Sequence, residues 1–185
     1  MSVPQYDTSL VQLVSEQGDP LGTAPRATVH TATTPLHLAF SCHLIDGEGR
    51  VLLTRRSLSK AAWPGVWTNS FCGHPAPGEP LEEAVRRRAR EELGLEIDDV
   101  RTVLPDFRYR AVDSSGVVEH EICPVFVATA ARDPEPAPEE VDSWAWATPD
   151  RVDQAVTATP FVFSPWLVLQ HAALGRGLWQ APEHE

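Results

Sequence analysis

From His37 to Ile45 the chain reads HLAFSCHLI, and after DGEGR a second largely apolar run, VLLTRR, begins. Two such runs around a Gly-containing turn predict a β-hairpin. A second hairpin is predicted where DFRYRAV and VVEHEICPVFVATA flank Asp113-Ser-Ser-Gly116. At Pro80 the period changes. Leu81, Ala84, Val85, Ala89 and Leu93 recur at helical spacing, acids fill the first turn, and Gly94 stands as the stop. EVDSWAWATPDRV predicts a short strand leading into a turn or helix start, and FVFSPWLVLQHAAL a helix beginning near Ser164-Pro165. Residues 1–25 are polar and weakly patterned apart from Leu10–Val14, and are expected to form a peripheral or weakly ordered extension. One domain is expected over 26–175, with a tail over 176–185. Strands, a central helix, more strands and a last helix predict an α+β fold, a mixed β-sheet flanked by helices in a single domain.

Two segments stand outside this pattern. AAWPGVWTNSFCGHPAPGEP is a Trp-, Pro- and Gly-rich connection that no regular element is expected to absorb, and so long and apolar a connection points to function. ARDPEPAPEE reads as an acidic, Pro-rich surface loop.

Composition narrows the possibilities. A chain of 185 residues with 42% apolar content suits one ordinary domain with a real core. Fifteen basic against 26 acidic residues give a net charge of −11, which argues against nucleic acid and anionic membranes as partners. No apolar stretch approaches the ~20 residues of a spanning helix. The first residues show neither the basic leader nor the apolar region of a secretory signal. Three cysteines, an odd number, do not suggest a disulfide framework and lead us to expect a reducing, cytoplasmic location. Within the acidic total, seven of the fifteen basic residues fall between Arg55 and Arg90, and only Lys60 is lysine. Arg forks suit phosphate oxygens, so a specific small anion is a candidate ligand.

From Gly73 the sequence GHPAPGEPLEEAVRRRAREELGL resembles the Nudix box, G-x5-E-x7-R-E-U-x-E-E-x-G-U with U aliphatic. Gly73, Glu79, Arg87, Ala89, Glu91, Glu92, Gly94 and Leu95 occupy the corresponding positions. An exposed helix with i,i+4 pairs such as Glu82–Arg86 and Glu83–Arg87 would explain the charges but not the outlying glycines. Arg88 stands where the box has Glu. Exchanging a carboxylate for a guanidinium weakens a multi-metal hydrolytic site and leaves a phosphate-binding one.

RRSLSKAAWPGVW, TNSFCGHP, DFRYRA, EHEICPVF and FSPW, in this order and spacing, resemble the type I isopentenyl-diphosphate Δ-isomerases from about Arg26 to about Leu169. The resemblance implies that His30, His37, His74, Glu119 and Glu121 ligate a divalent ion, with Zn²⁺, Mn²⁺ and Mg²⁺ all open. In an extended strand Glu119 and Glu121 share a face while His120 points away. His43 would lie ~20 Å from His37 along the strand and is set aside, as are His120, His171 and His184. Cys72 is implied as the catalytic thiol, taking or giving a proton at one face of the isoprene unit. Glu119 is implied as the opposing acid, with Tyr109 hydrogen-bonded nearby, and Trp166 as the indole that stabilises a carbocation. Trp67 is expected to help line the cavity, whereas Trp63, Trp144 and Trp146 are expected to pack.

Arg26, Arg56, Lys60 and Arg88 match the family's diphosphate clamp. Glu92 and the Cys72 backbone carbonyl match its Mg²⁺ ligands. Arg55, Arg86, Arg87 and Arg90 read as surface charge, and Cys42 and Cys123 as packing. The implied activity is interconversion of isopentenyl and dimethylallyl diphosphate in isoprenoid biosynthesis, by a monomer that uses neither flavin nor nicotinamide. Two other functions are considered. A Nudix diphosphohydrolase would have Glu in place of Arg88. An isoprenoid-diphosphate binding protein without turnover would have lost catalytic groups, and none of the expected ones is missing.

Overall fold

Two runs of chain that the pattern reads as single strands are each broken in the middle, and those breaks organise the molecule. The computed structural model describes residues 6–179; His184 and the rest of the expected tail from 180 onward lie outside them. β1 (Leu10–Val14) and β2 (Pro20–Pro25) form a hairpin. β3 (His37–Leu38), β4 (Phe40–Ile45), β5 (Val51–Arg56), β6 (Trp67–Thr68) and β7 (Phe71–Gly73) lead to helix α1 (Leu81–Leu93). Then come β8 (Ile97–Leu104), β9 (Arg108–Val112), β10 (Val118–Ile122), β11 (Val125–Ala130) and β12 (Val141–Ala147). Helices α2 (Pro149–Ala158) and α3 (Pro165–Leu174) complete the α+β domain.

HLAFSCHLI breaks at Ala39, between β3 and β4, and VVEHEICPVFVATA breaks at Cys123-Pro124, between β10 and β11. The breaks lie side by side. Ala39 N–H donates to the Ile122 carbonyl at 2.9 Å, and Ser41 N–H to the Pro124 carbonyl at 3.1 Å. β3 and β10 therefore leave one sheet together and enter the other as β4 and β11, parallel throughout. The smaller sheet has the order β2-β1-β3-β10-β9, and the larger β12-β5-β4-β11-β8, with β6 on β5 and β7 on β4. Residues 10–25 are thus peripheral in position but regular in structure: Val11 and Val14 are buried, and Leu13 pairs with His37. The strand β8 has no clear alternation because it is an edge, with Asp98 and Asp99 exposed and a bulge at Asp99, whose φ is +48°.

The larger sheet is covered on both faces. Phe40, Cys42, Leu44 and Leu52 pack with Ala84, Val85, Ala89 and Leu93 of α1. Val51, Leu53 and Val125 pack with Val152 and Val156 of α2 and Leu167 of α3 on the other side. Gly94 ends α1 at φ +65°, its N–H donating to the Arg90 carbonyl at 3.1 Å; a Cβ there would lie 3.0 Å from the Glu135 carbonyl oxygen.

The β4–β5 hairpin closes for one rung only, Ile45 opposite Val51. At the next rung the Ser70 hydroxyl intervenes, accepting from Leu44 N–H and donating to the Leu52 carbonyl, each at 2.7 Å. Asn69 Nδ2 donates to the carbonyls of Cys42 and Phe71 at 3.0 and 2.7 Å, and Thr54 Oγ1 donates to the Asn69 carbonyl at 2.9 Å. The connection expected to be irregular is therefore held as a wedge, with β6 on β5 and β7 on β4. Ser70→Ala strands two buried backbone groups and should cost about 3 kcal/mol in urea unfolding; a loss below about 1 kcal/mol would contradict this role for the hydroxyl.

On the α3 side of β4, His43 is fully buried; its Nε2 lies 2.9 Å from Gln170 Oε1, and its Nδ1 accepts from the Trp179 indole at 3.1 Å. Leu178 and Trp179, part of the expected tail, are buried with the core. Burial pushes the His43 imidazole down to about 4, against an opposing hydrogen bond from Gln170. Between the unfolded value and about pH 4 the unfolded chain binds a proton that the folded chain does not. The stabilisation is complete above the unfolded pKa and is lost as pH falls through that window. Wild type should lose on the order of 3 kcal/mol more than His43→Gln between pH 7 and pH 4. Equal losses in the two unfolding series would exclude His43 as the source.

Candidate active site

A cavity of about 210 Å³ lies where the wedge, α1 and the smaller sheet meet. His30, His74, Glu119 and Glu121 line it, as do Cys72, Tyr109 and Trp166. So do Arg26, Arg56, Lys60, Arg88 and Glu92. Of the residues expected to act, only His37 is not in the wall; it is fully buried behind His74, the two Nε2 atoms 3.2 Å apart.

His37 and Glu121 are register partners across β3 and β10, so backbone pairing sets their spacing. The loop bearing His30 is tied to β10 by Val118 N–H donating to the Thr31 carbonyl at 2.8 Å. His74 follows β7, and its carbonyl accepts from Arg87, which also grips both oxygens of Glu79 at 2.7 and 2.8 Å. Arg87 is therefore a structural clamp, not the surface charge expected from sequence. Glu121 Oε1 lies 3.2 Å from His74 Nε2, 3.5 Å from His37 Nε2 and 4.0 Å from His30 Nε2. His30, His37, His74 and Glu121 thus gather four donor atoms within 4.8 Å of one another. Glu119 is joined to them through His30 Nε2 at 3.0 Å.

Charge in this cluster is strongly redistributed. Burial opposes charge on His30, but Glu119 and Glu121 override it and lift the imidazole to about 9. Burial pushes His74 down to about 4 despite Glu121. Burial and the Glu121 charge raise Glu119. Burial would also raise Glu121, yet its contacts with the three imidazoles hold it well below the usual carboxylate range.

Burial pushes the Cys72 thiol up to about 12, against hydrogen bonds from Ser41 and Asn69. Trp166 is buried, with its Nε1–H on Asn69 Oδ1 at 2.9 Å and its ring centroid 5.7 Å from that of Tyr109. Tyr109 lies opposite Glu121 in the β9–β10 ladder and lines the same cavity as Glu119. Trp67, expected to help line the cavity, is not in its wall, and Trp63 packs as expected. Trp67 packs in the α2–α3 core with Phe163, whereas Trp63, at φ +51°, sets its ring edge-on to Trp166 with centroids 6.2 Å apart. Arg56 holds the Trp63 loop through the Ala62 and Trp63 carbonyls, and its guanidinium carbon lies 5.5 Å from the Trp166 ring.

A NUDIX domain profile matches residues 35–167, most of the chain. An isopentenyl-diphosphate Δ-isomerase of Leifsonia xyli subsp. xyli is 63% identical over 166 residues, covering 89% of this chain and 90% of that protein. Another, from Clavibacter michiganensis subsp. michiganensis, is 61% identical and covers 91% of this chain and 86% of that protein. One from Corynebacterium efficiens is 53% identical and covers 97% and 98%. The chain belongs to the isopentenyl-diphosphate Δ-isomerase family of the Nudix superfamily. At the level of fold alone, a Deinococcus radiodurans crystal structure superposes with a TM-score of 0.62 at 23% identity, covering 81% of this chain and 90% of that one. A MutT protein of Methanosarcina mazei superposes with a TM-score of 0.59 at 18% identity, covering 75% and 92%.

In this Δ-isomerase family member the acidic loop read from sequence as surface contributes Glu140 to the cavity wall. Its carboxylate pairs with Lys60 and lies 3.2 Å from Arg88 Nη2. Arg88 also reaches Glu92 at 2.7 Å and Glu91 at 3.1 Å. Burial opposes ionisation of Glu140, but Arg88 and Lys60 keep it below the usual range. Burial raises Glu92 against the pull of Arg88.

The His/Glu cluster fits a divalent ion by its own chemistry. His37 Nδ1 lies 2.9 Å from the Pro35 carbonyl, so it carries the proton and leaves a lone pair on Nε2, facing the other donors. His30 Nε2 is buried without a hydrogen bond of acceptable geometry. Chelator-treated protein should therefore gain about 3 kcal/mol of stability on adding a divalent ion at a hundred times its Kd. Glu121→Gln should abolish most of that gain in thermal unfolding; an undiminished gain would place the ion elsewhere.

Proposed function

We propose that the protein interconverts isopentenyl and dimethylallyl diphosphate in isoprenoid biosynthesis, a reading supported by relatives named isopentenyl-diphosphate Δ-isomerase. The observation carrying this reading is that Cys72, Glu119 and Trp166 share one cavity with the basic residues Arg26, Arg56, Lys60 and Arg88. Moving a double bond by one carbon means adding a proton at one end of an allylic unit and removing another from the far side. Cys72 is seated by the larger sheet and Glu119 by the smaller, so two proton-bearing groups reach one space from different elements. Glu119 protonates the alkene on one face and Cys72 exchanges the proton on the other. Trp166 offers a π face to the cationic carbon, with Tyr109 and Trp63 walling the same region against water. Bound divalent ions would supply fixed positive charge beside Glu119 and, as Mg²⁺ on Glu92 and the Cys72 carbonyl, beside the diphosphate. Lys60 and Arg88 pass from Glu140 to the diphosphate oxygens, joined by Arg26 and Arg56.

Two protons move and no electrons, so neither flavin nor nicotinamide is required. Every proposed group comes from one chain, so a monomer suffices. Three free cysteines fit a reducing, cytoplasmic setting, and among the described residues no helix is long and apolar enough to cross a membrane. The hydrolase reading is disfavoured by Arg88, which stands where the Nudix box has Glu and so takes one carboxylate away from a hydrolytic metal cluster.

Metal-loaded protein given isopentenyl diphosphate in D₂O should yield deuterated dimethylallyl diphosphate. Cys72→Ala and Glu119→Gln should each lower kcat by roughly a thousandfold or more. Absence of both product and label from the wild type would end this reading, and release of phosphate would favour the hydrolase. Wild-type turnover in either variant would remove that residue's role.

A further inference from the structure

A buried hydrogen-bond chain ends at the Cys72 sulfur, and its direction is fixed from the opposite end. An indole nitrogen can only donate, and Trp179 Nε1 lies 3.1 Å from His43 Nδ1. That nitrogen is therefore the lone-pair nitrogen of a neutral ring, and the His43 proton resides on Nε2. From there it is donated to Gln170 Oε1 at 2.9 Å. With its oxygen engaged, the Gln170 amide presents Nε2 to Ser41, donating to Oγ at 2.9 Å. Ser41 accepts on that side, which leaves its own proton for the two sulfurs it faces, Cys72 Sγ and Cys123 Sγ, each 3.4 Å away. Ser41, His43 and Gln170 are fully buried and Trp179 nearly so, so solvent does not compete for these bonds.

The other neighbour of the sulfur is oriented in the same way. Asn69 Oδ1 accepts from Trp166 Nε1 at 2.9 Å and Thr68 Oγ1 at 2.8 Å, which places Nδ2 3.4 Å from Cys72 Sγ. Asn69 Oδ1 is itself 3.4 Å from the sulfur and can accept a hydrogen bond from the thiol. Both Asn69 amide hydrogens are held by the Cys42 and Phe71 carbonyls, so the sulfur meets an acceptor while protonated and, once the proton has gone, a donor from Ser41.

We propose that Trp179, His43, Gln170 and Ser41 are positioning residues for Cys72, forming a chain of single polarity that turns the Ser41 hydroxyl proton toward the Cys72 sulfur. The step they serve rests on the isomerase reading; the polarity itself does not. In the full-length, metal-loaded protein, nitrogen-15 NMR of His43 should show the Nε2–H tautomer, and the Nδ1–H tautomer would overturn the proposal. Trp179→Phe keeps a ring in place but removes the donor, and should change the His43 tautomer balance while lowering kcat roughly threefold. Ser41→Ala and Gln170→Met should each lower kcat about tenfold with KM within about twofold. Wild-type kcat in folded Ser41→Ala, or an unchanged tautomer balance in folded Trp179→Phe, would overturn it. An active wild type carrying Nδ1–H would remove the network and leave the isomerase. An Nε2–H wild type without turnover would remove the isomerase and leave the polarity standing.

Discussion

The opening of the β4–β5 hairpin by Asn69 and Ser70 is the constraint on which the rest of the molecule depends. A hairpin that separates after one rung normally exposes a row of backbone donors and acceptors. Here the Ser70 hydroxyl satisfies one strand on each side, and the Asn69 amide satisfies the Cys42 carbonyl, so the separation leaves those groups paired. The inserted segment then continues along β4 in register, setting Cys72 opposite Ser41 and Gly73 opposite Phe40. A Cβ at Gly73 would lie 2.8 Å from both Phe40 Cζ and Arg88 Cγ, so the absent side chain is what lets α1 bring Arg88 close. One insertion thereby places the Cys72 thiol, the following His74 and the Arg88 guanidinium around the same space.

The second organising feature is the pair of strands that pass jointly between sheets. Because β3 and β10 are parallel neighbours before the break, His37 and Glu121 are held by ladder bonds instead of by a loop. Arg87 and Glu79, two invested positions of the Nudix box, serve the same end by fixing the His74 carbonyl. Ligands borne on strands and braced in this way stay close to a productive geometry without an ion to gather them. The helix that supplies Arg88 and Glu92 is anchored by its buried apolar stripe, so these two side chains are carried by the hydrophobic core.

Features with a local period were legible in the sequence. The α1 stripe, its Gly94 stop, the shared face of Glu119 and Glu121, and both hairpin turns follow from spacing within a few residues. The breaks at Ala39 and Pro124 were not legible, because the apolar runs continue unbroken through the change of sheet. Side-chain direction in the wedge was equally hidden: nothing in AAWPGVW shows that Trp63 takes a positive φ and meets Trp166 while Trp67 turns to the opposite core. Glu140 looked like one more acid in an acidic loop, since its partners Lys60 and Arg88 lie far off in the chain. Sequence reasoning set His43 aside as structural or surface, with no sign of its bonds to Gln170 and Trp179, more than a hundred positions away.

The cavity also shows how a chain of net charge −11 gathers basic residues in one place. Arg88 and Glu92 are only 7% and 8% exposed, and isolated charges that deep would be costly. They are held as a network, with Arg88 Nη2 between Glu92 at 2.7 Å and Glu140 at 3.2 Å, and Lys60 on the far side of Glu140. Glu140 thus holds Lys60 and Arg88 in place in the cavity wall, where the proposed diphosphate would compete with it for both. Arg88 Nε is buried without a partner, so the guanidinium retains a donor that this network does not use. Arg in place of Glu at this one position of the helix removes one carboxylate and sets a guanidinium beside Glu91 and Glu92, so the same surface presents a fork for the proposed diphosphate next to the acid proposed to hold its Mg²⁺.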